Sequence, residues 1–388
     1  MSPLHIGFDA KRAYHNNTGL GYYSRTLIRL LSNYYPDNQY YLFNPKKSRR
    51  WNFNDLANVH EIRPTGFFSK LFSSAWRSSG VTGEMAKHKI NLYHGLSHEI
   101  PVGIHRTGTK SVVTIHDLIH ERFPEQYNPI DVRIYTRKYK YACRHADHII
   151  AISEQTRQDL IEFYKVPPAK VSVCYQSASP LFLQIASEET KAAIAAKYRL
   201  PEKFYLSVGT INDRKNLLNV CKAMFLLRQE NDIPLVVIGK GKGTYYTKVK
   251  DFILQHDLEK KIIFLSENPE APSIPGYLST QDLPAIYQLA TAMLYPSYFE
   301  GFGAPVLEAL CCRLPVITSN VSCLPEAGGD AAYYVNPDNA TEIAQGMKRI
   351  AEDPALAASM KEKGTKYAER FSPEIYVKSV MDVYQSVL

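Results

Sequence analysis

The chain has 388 residues and a mass of 44.1 kDa, too long for one ordinary core and close to a two-domain length at roughly 150 residues per domain. Hydrophobic residues make up 45% and charged residues 22%, which excludes a disordered or collagen-like chain. The formal net charge of +8 permits an anionic partner (nucleic acid, a phosphorylated substrate or an anionic membrane) without choosing among them. The excess is one-sided: residues 1–180 hold 24 Lys/Arg against 14 Asp/Glu, or +10, and residues 181–388 hold 22 against 24, or −2. The six cysteines are scattered without metal-site spacing, and no run approaches 18 apolar residues. The opening residues Met1–Asp9 lack a cationic stretch followed by a long apolar run, so no signal peptide is expected. A reduced, cytoplasmic setting is the simplest expectation.

Along the chain, short apolar runs alternate with longer amphipathic stretches. Leu4–Phe8, Tyr40–Phe43, Val112–Ile115, His148–Ile152 and Val171–Tyr175 read as buried strands of the first half. Phe204–Val208, Leu235–Ile238, Ile262–Leu265, Ala292–Tyr295, Val316–Thr318 and Ala332–Val335 read the same way in the second. Between them, Tyr22–Asn33, Asp131–His145, Glu154–Phe163, Leu217–Arg228 and Asp282–Leu289 read as helices. Alternation of this kind predicts parallel sheets covered on both faces. Both halves open alike, with a strand, a glycine-bearing loop and a helix: Gly19 and Gly21 in the first loop, Gly209 in the second. Two doubly wound Rossmann-like α/β domains are expected, divided within Ser177–Leu200, with ligands beyond the carboxyl ends of the strands.

The most informative string is Tyr295–Leu310, YPSYFEGFGAPVLEAL. It reads as a strand, a tight turn through Gly301 and Gly303, and a helix opening at Pro305, a residue that suits a first helical position. The free N–H groups of the helix start face the turn, and Glu300 and Glu308 can flank one polyhydroxylated ligand. For one glutamate alone, a dipole-complementing structural role would be the better reading. Arg214 and Lys215 follow a strand and precede a helix, where adjacent cations can neutralise a diphosphate or simply be solvated. His116 and Asp117 end the strand Val112–Ile115, a place suited to function. Ser153 also ends a strand and can equally cap the next helix.

The core E-G-F-G-x-P-x-x-E resembles the signature of the retaining glycosyltransferase family 4, of GT-B fold. The likeness extends over almost the whole chain: the loop near Gly19, TIHDL at 114–118, AISE at 151–154, GTINDRKN at 209–216 and LPEAGGDAA at 324–332. It implies two Rossmann-like domains facing each other across a cleft. An acceptor-side unit would span 1–180 with helix 373–388 packing back on it, and a donor-binding unit 181–372. It also implies roles. Glu300 would contact donor-sugar hydroxyls and Glu308 the ribose. Amides of Phe302, Gly303 and Ala304 would touch sugar and phosphate, and Gly19, Gly21 and Gly209 would lie along the donor site. Arg214 and Lys215 would neutralise the leaving diphosphate in place of a metal, and His116 would sit by the donor sugar. With His116, Glu300, Arg214 and Lys215 as the catalytic set, the implied reaction is metal-independent, retaining transfer of a sugar to a hydroxyl acceptor. No cofactor or metal is required. The donor would be a nucleotide-sugar, GDP-mannose ahead of UDP-sugars, and the acceptor a glycan or lipid-linked glycan of cell-surface polysaccharide or lipopolysaccharide synthesis. A non-catalytic nucleotide-sugar-binding subunit is the alternative from another class. A phosphorylase lacks a cofactor-lysine motif here, and no helix-turn-helix, zinc or RNP signature supports nucleic-acid binding.

Two segments could use the basic excess. In Pro64–Arg77, Phe67, Phe68, Leu71, Phe72 and Ala75 fall at helical spacing beside Lys70, Trp76 and Arg77, a face that could lie on an anionic membrane or pack on the core. Arg133, Arg137, Lys140 and Arg144 form one stripe on the helix at 131–144. The last stretch, Phe371–Leu388, reads as a helix with Ile375, Val380, Val383 and Val387 as core contacts.

Overall fold

In the computed structural model, residues 3–48, 50–66 and 72–388 are described. The chain divides into two compact units, residues 1–177 with 371–388, and residues 178–370.

The first unit is built on seven parallel strands in the order β3-β2-β1-β4-β5-β6-β7. They are β1 His5–Asp9, β2 Gln39–Phe43, β3 Val59–Ile62, β4 Leu92–Gly95, β5 Lys110–Ile115, β6 His148–Ala151 and β7 Val171–Val173. The central strands are apolar on both faces because helices cover both, as a parallel sheet requires. Over one face lie the helix α1, Gly19–Tyr34, which buries Tyr23, Leu27, Ile28 and Leu31, and the C-terminal helix Pro373–Val387, which packs on α1, β5 and β6. Over the other lie α2 (Val81–Lys87), α3 (Pro129–His145) and α4 (Glu154–Tyr164), closing a core with Trp76, Met85, Tyr93, Ile115, Cys143 and Leu160.

The second unit carries six parallel strands in the order β10-β9-β8-β11-β12-β13: β8 Tyr205–Val208, β9 Leu235–Ile238, β10 Ile262–Phe264, β11 Ala292–Tyr295, β12 Val316–Ser319 and β13 Tyr333–Val335. Its helices include α5 (Glu188–Tyr198), α6 (Leu217–Leu226), α7 (Gly243–Gln255), α8 (Leu283–Leu289), α9 (Ala304–Cys311), α10 (Leu324–Gly328), α11 (Ala340–Glu352) and α12 (Pro354–Ala368). The helix Pro373–Val387 is then α13. Val220, Met224, Leu235, Ile253, Leu294, Ile317 and Met347 form one core around β8, β9, β11 and β12.

Several sequence expectations are corrected here. Strands β3 and β4 were absent from them. β3, VHEI, is a half-exposed edge, and β4, LYHG, is short and carries a histidine, yet β4 is buried at the centre of its sheet. In α13, Ile375 is exposed and Tyr376, Val377, Val380, Met381, Val383 and Tyr384 form the buried face instead. In the aromatic segment, Phe67, Phe68, Lys70 and Leu71 lie outside the described residues. Phe72 is 60% exposed, but Trp76 belongs to the core and Arg77 is buried in ion pairs with Asp9 and Glu99. Trp76 and Arg77 therefore face inward and offer nothing to a membrane. No helix among the described residues is long and apolar enough to cross one.

Candidate active site

In the second unit, the carboxyl end of β11 runs through Pro296–Gly303 into α9. Gly303 has φ +96, and a Cβ there would stand 3.0 Å from Leu324 Cδ2, so glycine serves both the turn and the close approach of α10. Pro305 sits in the first turn of α9, where its lack of an N–H costs nothing. The loop after β8 is set by asparagines. Asn212 Oδ1 accepts the Lys215 amide, capping a single 3₁₀ turn, Asp213–Lys215. Asn216 adopts a left-handed φ of +61, tolerated by asparagine, and its side chain donates to the carbonyls of Pro296 and Pro337. Tyr298 donates its amide to Arg214 O at 2.9 Å, tying this loop to the turn after β11.

These two loops bring Glu300, Arg214 and Lys215 together. Arg214 Nη1 lies 2.8 Å and Lys215 Nζ 2.7 Å from Glu300 Oε1, all three side chains largely buried. Burial pushes the Glu300 carboxyl up, but Lys215 and Arg214 outweigh it and hold it down at about 2. Arg214 also donates to Phe299 O, and Lys215 donates to the Tyr295 hydroxyl. The Glu300 main chain is clamped from α10's approach: its amide donates to Ser322 Oγ at 3.2 Å, while Ser322 Oγ and Cys323 Sγ both donate to its carbonyl at 3.0 Å. Gly209, at φ +140, ends β8 beneath the Lys215 stem, 3.6–3.8 Å from where a Cβ would be. Phe302 is buried behind the turn and Ala304 is half-buried at the helix start.

Glu308 lies one turn into α9 and accepts from the Tyr287 hydroxyl at 3.0 Å. Burial raises its pKa to about 7, only partly offset by Tyr287 and Lys215. It is thus half-protonated near neutrality, and a ligand offering two hydroxyl donors would favour the charged form. Tyr295, Tyr287, Ser322 and Cys323 were not singled out from the sequence. Ser322 and Cys323 directly precede the quoted 324–332 string, but nothing local says that they reach back 22 and 23 residues to Glu300.

In the first unit, His116 ends β5 as expected. It is buried, and Nε2 donates to Leu96 O at 2.9 Å, so the proton sits there and Nδ1 keeps its lone pair. Burial pushes its pKa down to about 4, leaving a neutral imidazole at neutral pH. Tyr23 and His98 meet its ring edge-on, at centroid distances of 4.5 and 5.1 Å. Gly19 and Gly21 open α1. A Cβ on Gly19 would meet nothing within 4 Å, whereas one on Gly21 would fall 2.0 Å from Asn16 O. The Gly21 amide is already taken by Thr18 O and Asn16 Oδ1, so this glycine serves the turn first. Ser153 caps α4, its Oγ accepting the Thr156 amide at 3.0 Å. Arg133, Arg137, Lys140 and Arg144 all lie exposed along α3. No cluster of three or more His, Cys, Asp or Glu suited to a metal occurs among the described residues.

Residues 18–177 match the family model "Glycosyltransferase Family 4" and residues 190–367 the model "Glycosyl transferases group 1". The chain is 28% identical over 307 residues to the O-antigen chain mannosyltransferase B of Escherichia coli, covering 77% of this chain and 75% of that protein. It is 28% identical over 284 residues to the serotype-specific mannosyltransferase WbdA of Escherichia coli, 72% of this chain but only 34% of that longer protein, so it spans about a third of WbdA. A crystal structure of a glycosyltransferase from Rickettsia africae superposes with a TM-score of 0.75 at 16% identity, covering 100% of this chain and 99% of that one. Two doubly wound units with parallel seven- and six-stranded sheets, matched in order by the two family models, make this a GT-B protein of the family 4 glycosyltransferases, and an enzyme.

Proposed function

We propose that the enzyme transfers mannose from GDP-mannose, with retention and without a divalent metal, to a hydroxyl of a glycan or lipid-linked acceptor in the synthesis of cell-surface polysaccharide. The observation that carries this reading is the Arg214–Glu300–Lys215 cluster at the end of β11. Two buried cations held by one carboxylate are a stored countercharge. When a donor diphosphate takes over the cations, Glu300 is released to accept hydrogen bonds from sugar hydroxyls. Arg214 and Lys215 then stabilise the negative charge that grows on the diphosphate as the bond to the anomeric carbon breaks. Glu308 accepts from the ribose hydroxyls, the amides around Gly303 and Ala304 face the sugar and phosphate, and the His116 lone pair accepts from a sugar hydroxyl. The acceptor oxygen attacks from the face that the diphosphate leaves, and its proton passes to the departing phosphate oxygen. Trapping a glycosyl–enzyme would overturn that step. Mannose and the O-antigen class of acceptor are supported by the names of the relatives, and the basic stripe of α3 supports an acceptor presented at an anionic membrane surface.

A thermal-shift screen with GDP-, UDP- and ADP-sugars tests the donor. GDP-mannose should raise the melting temperature most, since a ligand of the folded state stabilises it by mass action; an equal rise with a UDP-sugar would move the assignment to that donor. Glu300→Gln should keep the nucleotide-induced shift and lose transfer by about 10²–10³-fold, the usual size of one lost electrostatic contact in a transition state. Full transfer in that variant would overturn the site.

A further inference from the structure

The first unit contains a cavity of about 500 Å³ that the donor chemistry does not use, a size that holds a small ligand. It lies at the carboxyl ends of β1 and β4 against α3. Tyr93, Ile100, Pro101, Val102, Ile134 and Tyr141 form its walls, and its floor is an ion-pair chain that starts at buried Asp9 and Arg77 and runs out to the half-exposed Lys138. Arg77 Nε lies 2.9 Å from Asp9 Oδ2, Arg77 Nη1 lies 3.0 Å from Glu99 Oε2, and Lys138 Nζ lies 3.2 Å from Glu99 Oε1. The charged groups of the floor thus satisfy one another, and the Tyr141 hydroxyl accepts the Gly103 amide at 2.7 Å. Little polar demand is left inside, while the walls are apolar.

The lip differs from the floor. Val102 and Ile134 both line the cavity and are 57% and 44% exposed, and Ile130, one turn before Ile134 on α3, is 65% exposed. Arg137 lines the cavity from the same helix and Arg133 stands beside it, and neither has an ion-pair partner among the described residues. An apolar-walled cavity, apolar side chains at its entrance and unneutralised guanidinium groups around that entrance match one chemistry, a hydrocarbon chain that ends in a phosphate.

We propose that this cavity binds the hydrocarbon segment of an amphiphilic phosphate, with the phosphate held at the lip by Arg137 and Arg133. This rests on the reading of the acceptor as lipid-linked and deepens it, placing recognition of the carrier chain in the first unit. Two sources share this chemistry: the carrier of the acceptor itself, or a phospholipid of the surrounding membrane.

The test is calorimetric titration of the full chain with decyl, hexyl and methyl phosphate below their micelle concentrations. Saturable one-to-one binding of decyl phosphate is expected, tightening by about fourfold per added methylene until the cavity is full. Methyl phosphate should not bind measurably. Ile134→Asp and Val102→Asp, at exposed positions that a folded chain tolerates, should each weaken decyl phosphate at least tenfold, and Arg137→Glu severalfold. Unsaturable binding, or binding indifferent to all three changes, would overturn the proposal, as would binding of methyl α-mannoside at this site in place of the alkyl phosphate. Two further arms separate the sources. If the carrier chain is the ligand, Ile134→Asp raises KM for an alkyl-bearing acceptor and not for its chainless analogue. If membrane lipid is the ligand, the same change lowers sedimentation with phosphatidylglycerol vesicles and leaves both KM values alike. The titration needs no donor, so a failure of the GDP-mannose reading leaves it intact, and a negative titration leaves the donor thermal shift intact.

Discussion

Both units present the carboxyl ends of parallel strands, yet the end of β11 in the second and the ends of β4 and β5 in the first are built from different chemistry. In the second unit the strand ends carry net ionised groups, with Glu300 kept charged by two buried cations. In the first, the ends of β4 and β5 carry His94, His98 and His116, all buried and all pushed toward the neutral form by that burial. His94 is held at about 3 and is wired between the Tyr384 hydroxyl, at 2.7 Å, and Thr114 Oγ1, at 2.8 Å. The end of a parallel strand can therefore be built around ionised groups, as at β11, or around neutral imidazoles, as at β4 and β5. A diphosphate belongs with the first arrangement; a neutral or apolar ligand belongs with the second.

The largest expected effect of this difference is on acid stability. A histidine whose pKa is depressed in the folded state gives stability that is full above its ordinary value of 6.5 and is lost as pH falls toward the folded value. Each such residue costs about 1.4 kcal/mol per pH unit over that window, so His94 and His116 together should cost the first unit several kcal/mol between pH 6.5 and 4, with His98 acting in the same direction. Glu308 has the opposite sign: its raised pKa makes the second unit gain stability as pH falls through 7 toward 4.5. Hydrogen exchange read by mass spectrometry at pH 7 and pH 5 should show protection lost first in residues 3–177 and 371–388. Equal loss in both units would break the comparison. For Glu308→Gln, the second unit's stability should become flat over that same interval.

Next in size are the turn glycines. Gly21→Ala forces a Cβ to within 2.0 Å of Asn16 O and should cost about 1–3 kcal/mol, seen as a lowered denaturation midpoint, while Gly19→Ala should cost almost nothing. Gly303→Ala should cost about 1–2 kcal/mol for its left-handed backbone and, unlike Gly21→Ala, should also weaken the nucleotide-induced thermal shift. The smallest change is Tyr384→Phe, which leaves His94 Nδ1 without its partner. It should cost about 1–2 kcal/mol of first-unit stability and leave the thermal shift by nucleotide unchanged.

What was legible in the sequence was whatever is local. The string around Glu300 reads correctly as strand, turn and helix because its glycines and proline dictate that path within nine residues. Arg214 and Lys215 were visible as a pair, but their ion pairs with Glu300 were not, because those contacts span 86 and 85 residues. Arg77, the flank of a segment that the sequence leaves open between membrane and core, is undecided for the same reason. Its partner Asp9 is 68 residues away, and charge next to aromatics looks like an interface until the countercharge is known. β4 escaped because a histidine in a four-residue strand looks like a loop. It becomes core only when Tyr384, 290 residues later, supplies the hydrogen bond that its burial requires.

That same tyrosine has a consequence for how the protein is made. Residues 371–388 belong to the unit that residues 3–177 began, so the ribosome must deliver all of residues 178–370 before the first unit can be finished. Until then the face of α1, β5 and β6 that α13 covers is bare, and His94 lacks Tyr384. The inserted unit, by contrast, has its whole sheet in hand by residue 335 and can fold while the chain is still emerging, as domains generally do. The unit that starts first is therefore the one that folds last, and a chain cut short by a premature stop near residue 370 would lose the first unit and keep the second.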